Sequence, residues 1–265
     1  MKINTEKCTG CGLCAEKCPC KGIEIKEKKA YLSGNCIKCG HCYAICPTQA
    51  WETEFYNLPE TETGKILYSR RSSRNFTDRK ISNETIEKII RESSAYPSAT
   101  NQKCTEITFV TDPSVLKKIK LSVMNSLKDK FRLMNYGICR FFAKIILKSN
   151  YERAIKYKKL FDSITEDNDI LTFNAPCLVF VHGNRNRILM DEDAHYVTYN
   201  IILTAEEEGI GSCFMGFIRS NINRKIKDIT GIPKENDVYS VFILGYPSNS
   251  FARPVPQPEI KHNIL

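Results

Sequence analysis

The chain has 265 residues, of which 13 are cysteine, and a formal net charge of +9. This length suits a small module followed by a full domain. The sequence contains no apolar run long enough to span a membrane, and Met1–Thr5 does not begin a signal peptide, so we expect a cytoplasmic protein rather than a membrane or secreted disulfide-bonded one. So many thiols favour the reducing interior of an anaerobe.

Eight of the cysteines form two copies of one spacing near the start of the chain. The copies are Cys8-x2-Cys11-x2-Cys14-x3-Cys18-Pro19 and Cys36-x2-Cys39-x2-Cys42-x3-Cys46-Pro47. Runs of this type hold a pair of [4Fe–4S] clusters, and the fourth cysteine of each run binds the other cluster. The spacing therefore predicts cluster 1 on Cys8, Cys11, Cys14 and Cys46, and cluster 2 on Cys18, Cys36, Cys39 and Cys42.

Zinc and disulfides are the alternatives for these cysteines. Two Cys-x2-Cys pairs alone would indicate a zinc site, but each run here has four cysteines and a proline at the same offset. A disulfide framework is typical of small secreted domains, and this chain continues into an ordinary domain of about 200 residues.

Residues 1–55 resemble a bacterial two-cluster ferredoxin. In that family a short hairpin precedes each half, and Gly22–Ile25 can pair with Ala30–Leu32 in that way. Small and apolar residues between the cysteines leave backbone N–H groups for the cluster sulfurs and keep water away, and both effects set the reduction potential.

A polar stretch at residues 56–64, with Pro59 and Gly64, predicts a linker to a second domain at 65–265. Ser82 is positioned to cap a helix with Ile86, Ile89 and Ile90 at helical spacing. Further predicted elements are strands at Glu106–Thr111, Pro176–His182 and Asp237–Leu244, and a helix at Asp191–Glu208. The elements do not alternate regularly and no G-x-G-x-x-G follows a strand, which argues against a Rossmann nicotinamide domain.

Three separated motifs in this domain suit a phosphorylated planar ligand. Arg70–Phe76 places three arginines and two serine hydroxyls within five residues, which fits a phosphate monoester, although a solvated helix end has the same composition. Tyr96–Gln102 is a turn of small residues in which Asn101 can hydrogen-bond the edge of a heterocycle. Glu208–Gly216 is a helix end and glycine-rich turn whose backbone can lie against a ring.

Together, in this order, the motifs resemble the nitroreductase family of flavin enzymes over residues 64–265. The resemblance implies an α+β domain, a central sheet flanked by helices, in a homodimer with FMN at the subunit interfaces. It also implies the residues that hold FMN. They are Arg70, Arg71, Ser72 and Arg74 at the phosphate and ribityl chain, Pro97, Ser98, Ala99 and Asn101 at the ribityl chain and ring, Met215 and Gly216 near the ring, and Arg253 completing the phosphate site.

The sequence departs from this family in two places. Asn101 is followed by Gln102-Lys103-Cys104 where many members have Gln-Pro-Trp, and Met215 stands where many NAD(P)H-using members have an acid. The second departure favours an electron donor other than a nicotinamide.

A basic segment at residues 115–160 carries thirteen Lys/Arg against two acids, and a basic insertion is predicted at about 121–169. Its apolar and cationic residues interleave at helical spacing, which is typical of a helical lid with solvated lysines. Docking of an acidic electron carrier such as ferredoxin or flavodoxin, membrane-surface binding and nucleic-acid binding are the alternatives; no nucleic-acid motif is present.

Other reactive residues have simpler interpretations. Asp191, Asp193 and His195 resemble a metal site, but acids are expected at the start of a helix. The remaining cysteines, Cys20, Cys104, Cys139, Cys177 and Cys213, are expected to be small buried hydrophobes, and only Cys213 is placed to touch a flavin.

The sequence thus predicts an oxidoreductase in which the clusters pass single electrons to FMN, which reduces a nitroaromatic, a quinone or an activated double bond. The alternatives are an NAD(P)H-dependent flavin reductase that exports electrons through the clusters, and a non-catalytic electron carrier or redox sensor. No protein acid or base is predicted to take part in the chemistry.

Overall fold

The computed structural model describes residues 1–33, 36–54, 58–133, 169–249, 251 and 253–264. It divides the chain into two compact units, the first made of Met1–Arg74 with Pro247–Leu265 and the second of Asn75–Tyr246. Across the described residues, no helix is both long and apolar enough to cross a membrane.

The first unit is built from short elements around the cysteine runs. Its strands are β1 (Lys2–Ile3), β2 (Ile23–Lys26), β3 (Lys29–Leu32) and β4 (Trp51–Glu52), and its helices are α1 (Leu13–Glu16), α2 (His41–Ile45) and α3 (Glu62–Ser69). The antiparallel pairing of β2 with β3 confirms the predicted hairpin. Glu27 and Lys28 turn this hairpin with φ angles of 47° and 57°, as two-residue hairpins require.

The two short helices begin at equivalent points of the two cysteine runs. Gly12 precedes α1 and Gly40 precedes α2, with φ angles of 81° and 73°. The core of the unit is small: Trp51, Ala30 and Ala44 are almost fully buried beside the thiols. So small a core suggests that bound clusters add much of the stability of this unit.

The second unit is a four-stranded antiparallel sheet between two layers of helices. Its strands are β5 (Glu106–Val110), β6 (Cys177–Asn184), β7 (Gly211–Phe214) and β8 (Asn236–Gly245), in the order β5-β6-β8-β7. Its helices are α4 (Asn83–Ser93), α5 (Pro113–Leu133), α6 (Met190–Glu207), α7 (Gly216–Arg219) and α8 (Arg224–Thr230), with one 3-10 turn at Ala99–Asn101.

The side chains of β6 alternate between the two faces of the sheet. Leu178 and Phe180 pack with α5, α7 and α8 on one face. Cys177, Val179 and Val181 pack with α4 and α6 on the other. Because both faces are covered, the central strands carry continuous apolar runs, Cys177–Val181 in β6 and Val241–Leu244 in β8, rather than alternating.

The predicted elements of this unit are confirmed within two residues at each end. The hydroxyl of Ser82 accepts a hydrogen bond from the Thr85 amide and so caps α4, as predicted. Ile86 and Ile89 are buried, but Ile90 is 36% exposed. The third isoleucine of that pattern therefore lies at the edge of the apolar face.

The division into units differs from the predicted boundaries. Residues 56–64 were predicted to link a module at 1–55 to a domain at 65–265, whereas α3, the arginine motif at 70–74 and residues 247–265 group with the first unit. The returning segment is held there by contacts: Val255 fills the space above Gly40, where an added Cβ would lie 2.5 Å from its Cγ1. A polar linker in the sequence indicates where the chain leaves the first module. It does not indicate that a later segment, here residues 247–265, packs with that module.

Only part of the basic segment lies among the described residues. Along α5, Leu116, Ile119, Val123 and Leu127 face the core, while Lys117, Lys118 and Lys128 are exposed. This amphipathic packing agrees with the lid interpretation as far as residue 133. Residues 134–168, with Cys139 and most of the predicted insertion, lie outside the described residues.

Candidate iron–sulfur and flavin sites

Two pockets in the first unit are each lined by the four cysteines predicted to share one cluster. Cys8, Cys11, Cys14 and Cys46 line one pocket, and Cys18, Cys36, Cys39 and Cys42 line the other. In each pocket the fourth cysteine of one run joins three from the other, which is the exchange that two-cluster sites require. The donor sets suit [4Fe–4S] clusters in number and in type.

Backbone amides donate to the cysteine sulfurs in both pockets. The Gly22 amide lies 3.3 Å from Sγ of Cys18, the Lys38 amide 3.3 Å from Sγ of Cys36, and the Ala50 amide 3.4 Å from Sγ of Cys46. Such donors stabilise thiolate charge, so they favour the ligand form of each cysteine.

The cysteine pKa values reflect two opposing effects. Burial raises the pKa of Cys42 to about 12, with a further contribution from nearby Cys39. Burial also acts to raise the pKa of Cys46, but hydrogen bonds from Thr48 and Ala50 outweigh it and leave that pKa below its usual value. Cluster binding must therefore displace a tightly held proton from Cys42, and assembly should be easier at higher pH.

The second pocket also contains a fifth thiol and a histidine. Cys20 is half-buried there rather than being the small buried hydrophobe that the sequence predicted, because Cys18-Pro19-Cys20 returns it to the same pocket. Nδ1 of His41 lies 3.1 Å from Sγ of Cys39. Burial first, and then the charges of Arg71 and Arg74, lower the pKa of His41 to about 4, against a hydrogen bond with the Ser72 backbone.

The predicted phosphate-binding arginines all lie in the first unit. Nη1 of Arg71 donates to the Cys39 carbonyl at 3.4 Å. Nη2 of Arg253 donates to the carbonyls of Tyr43 and Cys46 at 2.5 and 3.2 Å. The structure therefore brings Arg253 and the 70–74 motif into one unit, although 179 positions separate Arg74 from Arg253 in the numbering.

The predicted flavin turn at 97–101 lies in the second unit and has an unusual backbone. Thr100, Asn101 and Lys103 adopt φ angles of 52°, 58° and 52°, in the left-handed region. Residues other than glycine rarely adopt this region unless surrounding contacts hold them there, and they cluster at functional sites. Asn101 is exposed at the tip of the turn, as a ligand-binding carboxamide must be.

Two residues that the sequence analysis did not assign to this turn hold it in place. The buried carboxylate of Asp193, on the first turn of α6, accepts a hydrogen bond from the Ala99 amide at 3.0 Å. Lys103 donates through Nζ to the carbonyls of Ser94 and Tyr96, and its Nζ lies 4.3 Å from the centre of the Tyr96 ring. The lysine that departs from the family pattern thus supports the turn.

The third motif contains one buried side chain and one open stretch of backbone. The Met215 side chain is buried in the sheet core, and its amide donates to the Val241 carbonyl at 2.8 Å. Beside it, a Cβ added at Gly216 would meet no atom within 4 Å. Gly216 therefore offers the open backbone in this motif, whereas Met215 serves the core. Cys213 is buried as predicted, and Cys177 likewise.

We expect Asp193→Ala to loosen the turn at 97–101. Loss of a charged, buried acceptor should lower the free energy of unfolding by about 1.5–3 kcal/mol. It should also weaken FMN binding severalfold, because the Ala99 amide loses its partner. Urea unfolding and an FMN titration measure the two effects. Asp191→Ala removes an exposed acid from the same helical turn; equal losses in both variants would contradict this role for Asp193.

Comparison with known proteins matches each part of the chain to a protein family. Residues 67–246 match the model of the nitroreductase family. The chain belongs to the nitroreductase family. Residues 1–47 match the model of the 4Fe-4S dicluster domain, so this member carries a ferredoxin module fused ahead of the family domain. Family membership makes the protein an oxidoreductase.

A curated relative and solved structures support the same assignment. A protein of Archaeoglobus fulgidus named "Putative NADH dehydrogenase/NAD(P)H nitroreductase" is 26% identical over 189 residues, 70% of this chain and 85% of the relative. A nitroreductase from Bacteroides fragilis with bound FMN superposes with a TM-score of 0.56 at 18% identity, covering 77% of this chain and 97% of that one. An FMN-bound nitroreductase from Desulfitobacterium hafniense gives 0.57 at 17% identity, covering 78% and 100%. At these identities the two structures establish the shared α+β fold, which confirms the predicted fold class.

Proposed function

We propose that the protein uses two [4Fe–4S] clusters and FMN to pass electrons from a one-electron donor to a small organic acceptor. Nitroaromatics, quinones and activated double bonds are the acceptor classes that suit a flavin hydride donor. When bound, the clusters supply one-electron transfer and FMN couples single electrons to two-electron reduction of the acceptor.

One observation carries this proposal: the phosphate-binding arginines and the eight cysteines share one compact unit. Arg71 donates to the carbonyl of Cys39, and Arg253 donates to the carbonyl of Cys46. A cluster module that served only to export electrons to a distant partner would have no need of contact with the flavin-binding residues. The contacts of Arg71 and Arg253 with the cysteine runs instead support electron flow between the clusters and the flavin within the protein.

The arginine set fits the phosphate of FMN. Within the described part of the chain, Nε of Arg70 and Nε of Arg253 are buried without a hydrogen-bond partner. Buried guanidinium N–H groups are costly to leave unpaired, and a phosphate dianion is an acceptor of the kind that such groups require. The family resemblance also assigns Asn101 and Gly216, in the second unit, to FMN binding.

A homodimer is part of this proposal. The second unit exposes large apolar side chains on and just before α6 and on β7; these are Ile188, Leu189, Tyr196, Tyr199 and Phe214, between 44% and 82% exposed. Large apolar side chains at this exposure are candidates for an interface where they adjoin one another. A second copy of the chain is the partner that the family resemblance implies, with residues of the 97–101 turn reaching the partner's FMN.

The donor we favour is a reduced, acidic one-electron carrier of the ferredoxin or flavodoxin class. The exposed lysines of α5 provide a basic surface that would steer such a carrier. NAD(P)H is the second candidate, because the Archaeoglobus relative is named for it. Met215, which replaces the acid of many NAD(P)H-using members, counts against that candidate.

Anaerobic mixing of the oxidised holoprotein with each donor tests the proposal. Reduced ferredoxin should bleach the flavin absorbance within seconds, while NADH and NADPH should act at least about tenfold more slowly. A tenfold rate difference corresponds to about 1.4 kcal/mol in barrier height. Rapid bleaching by a nicotinamide alone would assign the protein to the second candidate. A holoprotein that no donor reduces would contradict both.

A further inference from the structure

We propose that cluster 2, held by Cys18, Cys36, Cys39 and Cys42, is the cluster that lies next to the FMN phosphate, and that the turn Cys39–His41 joins the two sites. This inference rests on the proposed function, from which it takes the two clusters and the flavin phosphate. It adds the order of the relay: cluster 1 is distal and cluster 2 is proximal to the flavin.

A continuous set of contacts links the arginine motif to a ligand of cluster 2. Nη1 of Arg71 lies 3.4 Å from the Cys39 carbonyl oxygen, and its Cζ lies 4.8 Å from the centre of the Phe251 ring. The same ring meets His41 edge-on at 5.0 Å between centroids. Nδ1 of His41 then lies 3.1 Å from Sγ of Cys39. Arg71 of the arginine motif therefore contacts the backbone of Cys39 directly, and Phe251 and His41 link it to the Cys39 sulfur.

The charges of the motif act on the same turn. Arg71 and Arg74 both act on His41, whose ring also hydrogen-bonds the Ser72 backbone. Three members of the predicted phosphate site thus reach Cys39–His41, and all of them lie in the first unit.

Cluster 1 has different surroundings. Its first ligand loop is covered by the β2–β3 hairpin: Nζ of Lys29 donates to the Cys8 carbonyl at 2.7 Å, and Gly10 packs against the backbone of Lys28. The arginine set reaches this cluster through Arg253 and the Cys46 carbonyl. Both Arg71 and Arg253 contact a ligand's backbone carbonyl, but the Cys46 sulfur lies beside Ala50 and Thr48. Arg71, by contrast, is linked onward to a ligand sulfur, through Phe251 and His41 to Sγ of Cys39.

A measurable consequence follows from charge. One electron converts an oxidised cluster to its reduced form and adds one negative charge to it. A phosphate dianion bound at Arg71 and Arg74 offsets part of the positive charge that cluster 2 experiences, so FMN binding should make reduction of cluster 2 less favourable. Cluster 1, which the arginine set contacts through Arg253 at the Cys46 carbonyl, should respond much less.

The test is a redox titration of the cluster-loaded protein with dithionite, followed by low-temperature EPR, without FMN and then with saturating FMN. Cys11→Ser and Cys36→Ser, which change one exposed ligand in each set, identify the two cluster signals. If a serine variant loses its cluster, Lys29→Met and His41→Phe identify them with all eight cysteines in place.

We expect FMN to lower the reduced-to-oxidised ratio of cluster 2 about tenfold at a fixed potential, which is 59 mV for one electron. The ratio for cluster 1 should change less than about twofold, a far smaller charge effect. Arg71→Met should abolish the tenfold response at saturating FMN. Lys29→Met, which removes the equivalent donor to a cluster 1 ligand, should leave it intact.

The outcomes separate this inference from the proposed function. If FMN binds stoichiometrically but cluster 1 responds, or both clusters or neither respond, the order of the relay is overturned while the flavin assignment stands. If the protein binds no FMN by its absorbance, the proposed function fails and this inference fails with it.

Discussion

Replacing Arg70 and Arg74 together by alanine is expected to weaken FMN binding by two to four powers of ten. Hydrogen bonds to a charged group contribute about 1.5–3 kcal/mol each, and each 1.4 kcal/mol is about tenfold in affinity. Losing two arginine contacts with the phosphate therefore costs about 3–6 kcal/mol. Titration of the cluster-loaded apoflavoprotein with FMN, followed by quenching of flavin fluorescence, measures the change.

Two comparisons make this result specific to the phosphate. Arg91→Ala with Arg224→Ala removes the same charge from two exposed helical positions of the second unit and should leave FMN affinity within about twofold, since exposed charges act weakly at a distance. Riboflavin has the ring without the phosphate, so its affinity should be similar in the wild type and in the double variant. A double variant with full FMN content would remove these arginines from the phosphate site.

The cysteine runs and the regular elements could be predicted from sequence because their signals are local. A fixed spacing of thiols identifies the cluster ligands, and both ligand sets line their own pockets. Ser82 caps α4 from the adjacent position, and Cys177–Val181 of β6 is a continuous apolar run because helices cover both faces of the sheet. In each case the deciding contacts lie within a few residues or follow from simple periodicity.

The supports of the candidate flavin site could not be predicted in this way. Asp193 contacts Ala99 across 94 positions, and Arg253 contacts Tyr43 across 210. An acid at a helix start is explained by the helix dipole, and the family resemblance assigned Arg253 to the phosphate site, so the sequence alone gives no reason to pair either residue with these distant backbone groups. From the sequence, Lys103 was only a departure from the family pattern. The structure shows that it supports the turn through hydrogen bonds to the carbonyls of Ser94 and Tyr96.

Met215 illustrates a different limit. The family resemblance places Met215 near the ring, and the structure shows that its side chain fills the core between the sheet and its helices. A motif fixes the course of the backbone more reliably than the direction of a side chain. The neighbouring Gly216, open on its Cα side, is where a ligand can approach.

Gly10→Ala is expected to cost the protein cluster 1. Gly10 has a φ of +71°, and an added Cβ would lie 2.2 Å from the Lys28 carbonyl oxygen. The angle alone does not demand glycine, because Lys38, at the same place in the second run, adopts a φ of 56°. The close approach of the Lys28 backbone is what demands glycine at position 10. Lys28 cannot move without displacing the β2–β3 hairpin, in which Lys29 donates to the Cys8 carbonyl.

Overpacking against backbone, added to the strained angle, should lower the free energy of unfolding by about 3 kcal/mol or more. Iron content per chain should fall toward half, since cluster 2 keeps its own ligand turn. Gly12→Ala is the matched control: its φ is +81° but no atom lies within 4 Å of the added Cβ, so it should lose about 1–2 kcal/mol and keep its iron. Urea unfolding with iron analysis measures both variants. Equal stability and equal iron in the two would mean that the hairpin does not hold the first cluster loop, and that cluster 1 depends on its cysteines alone.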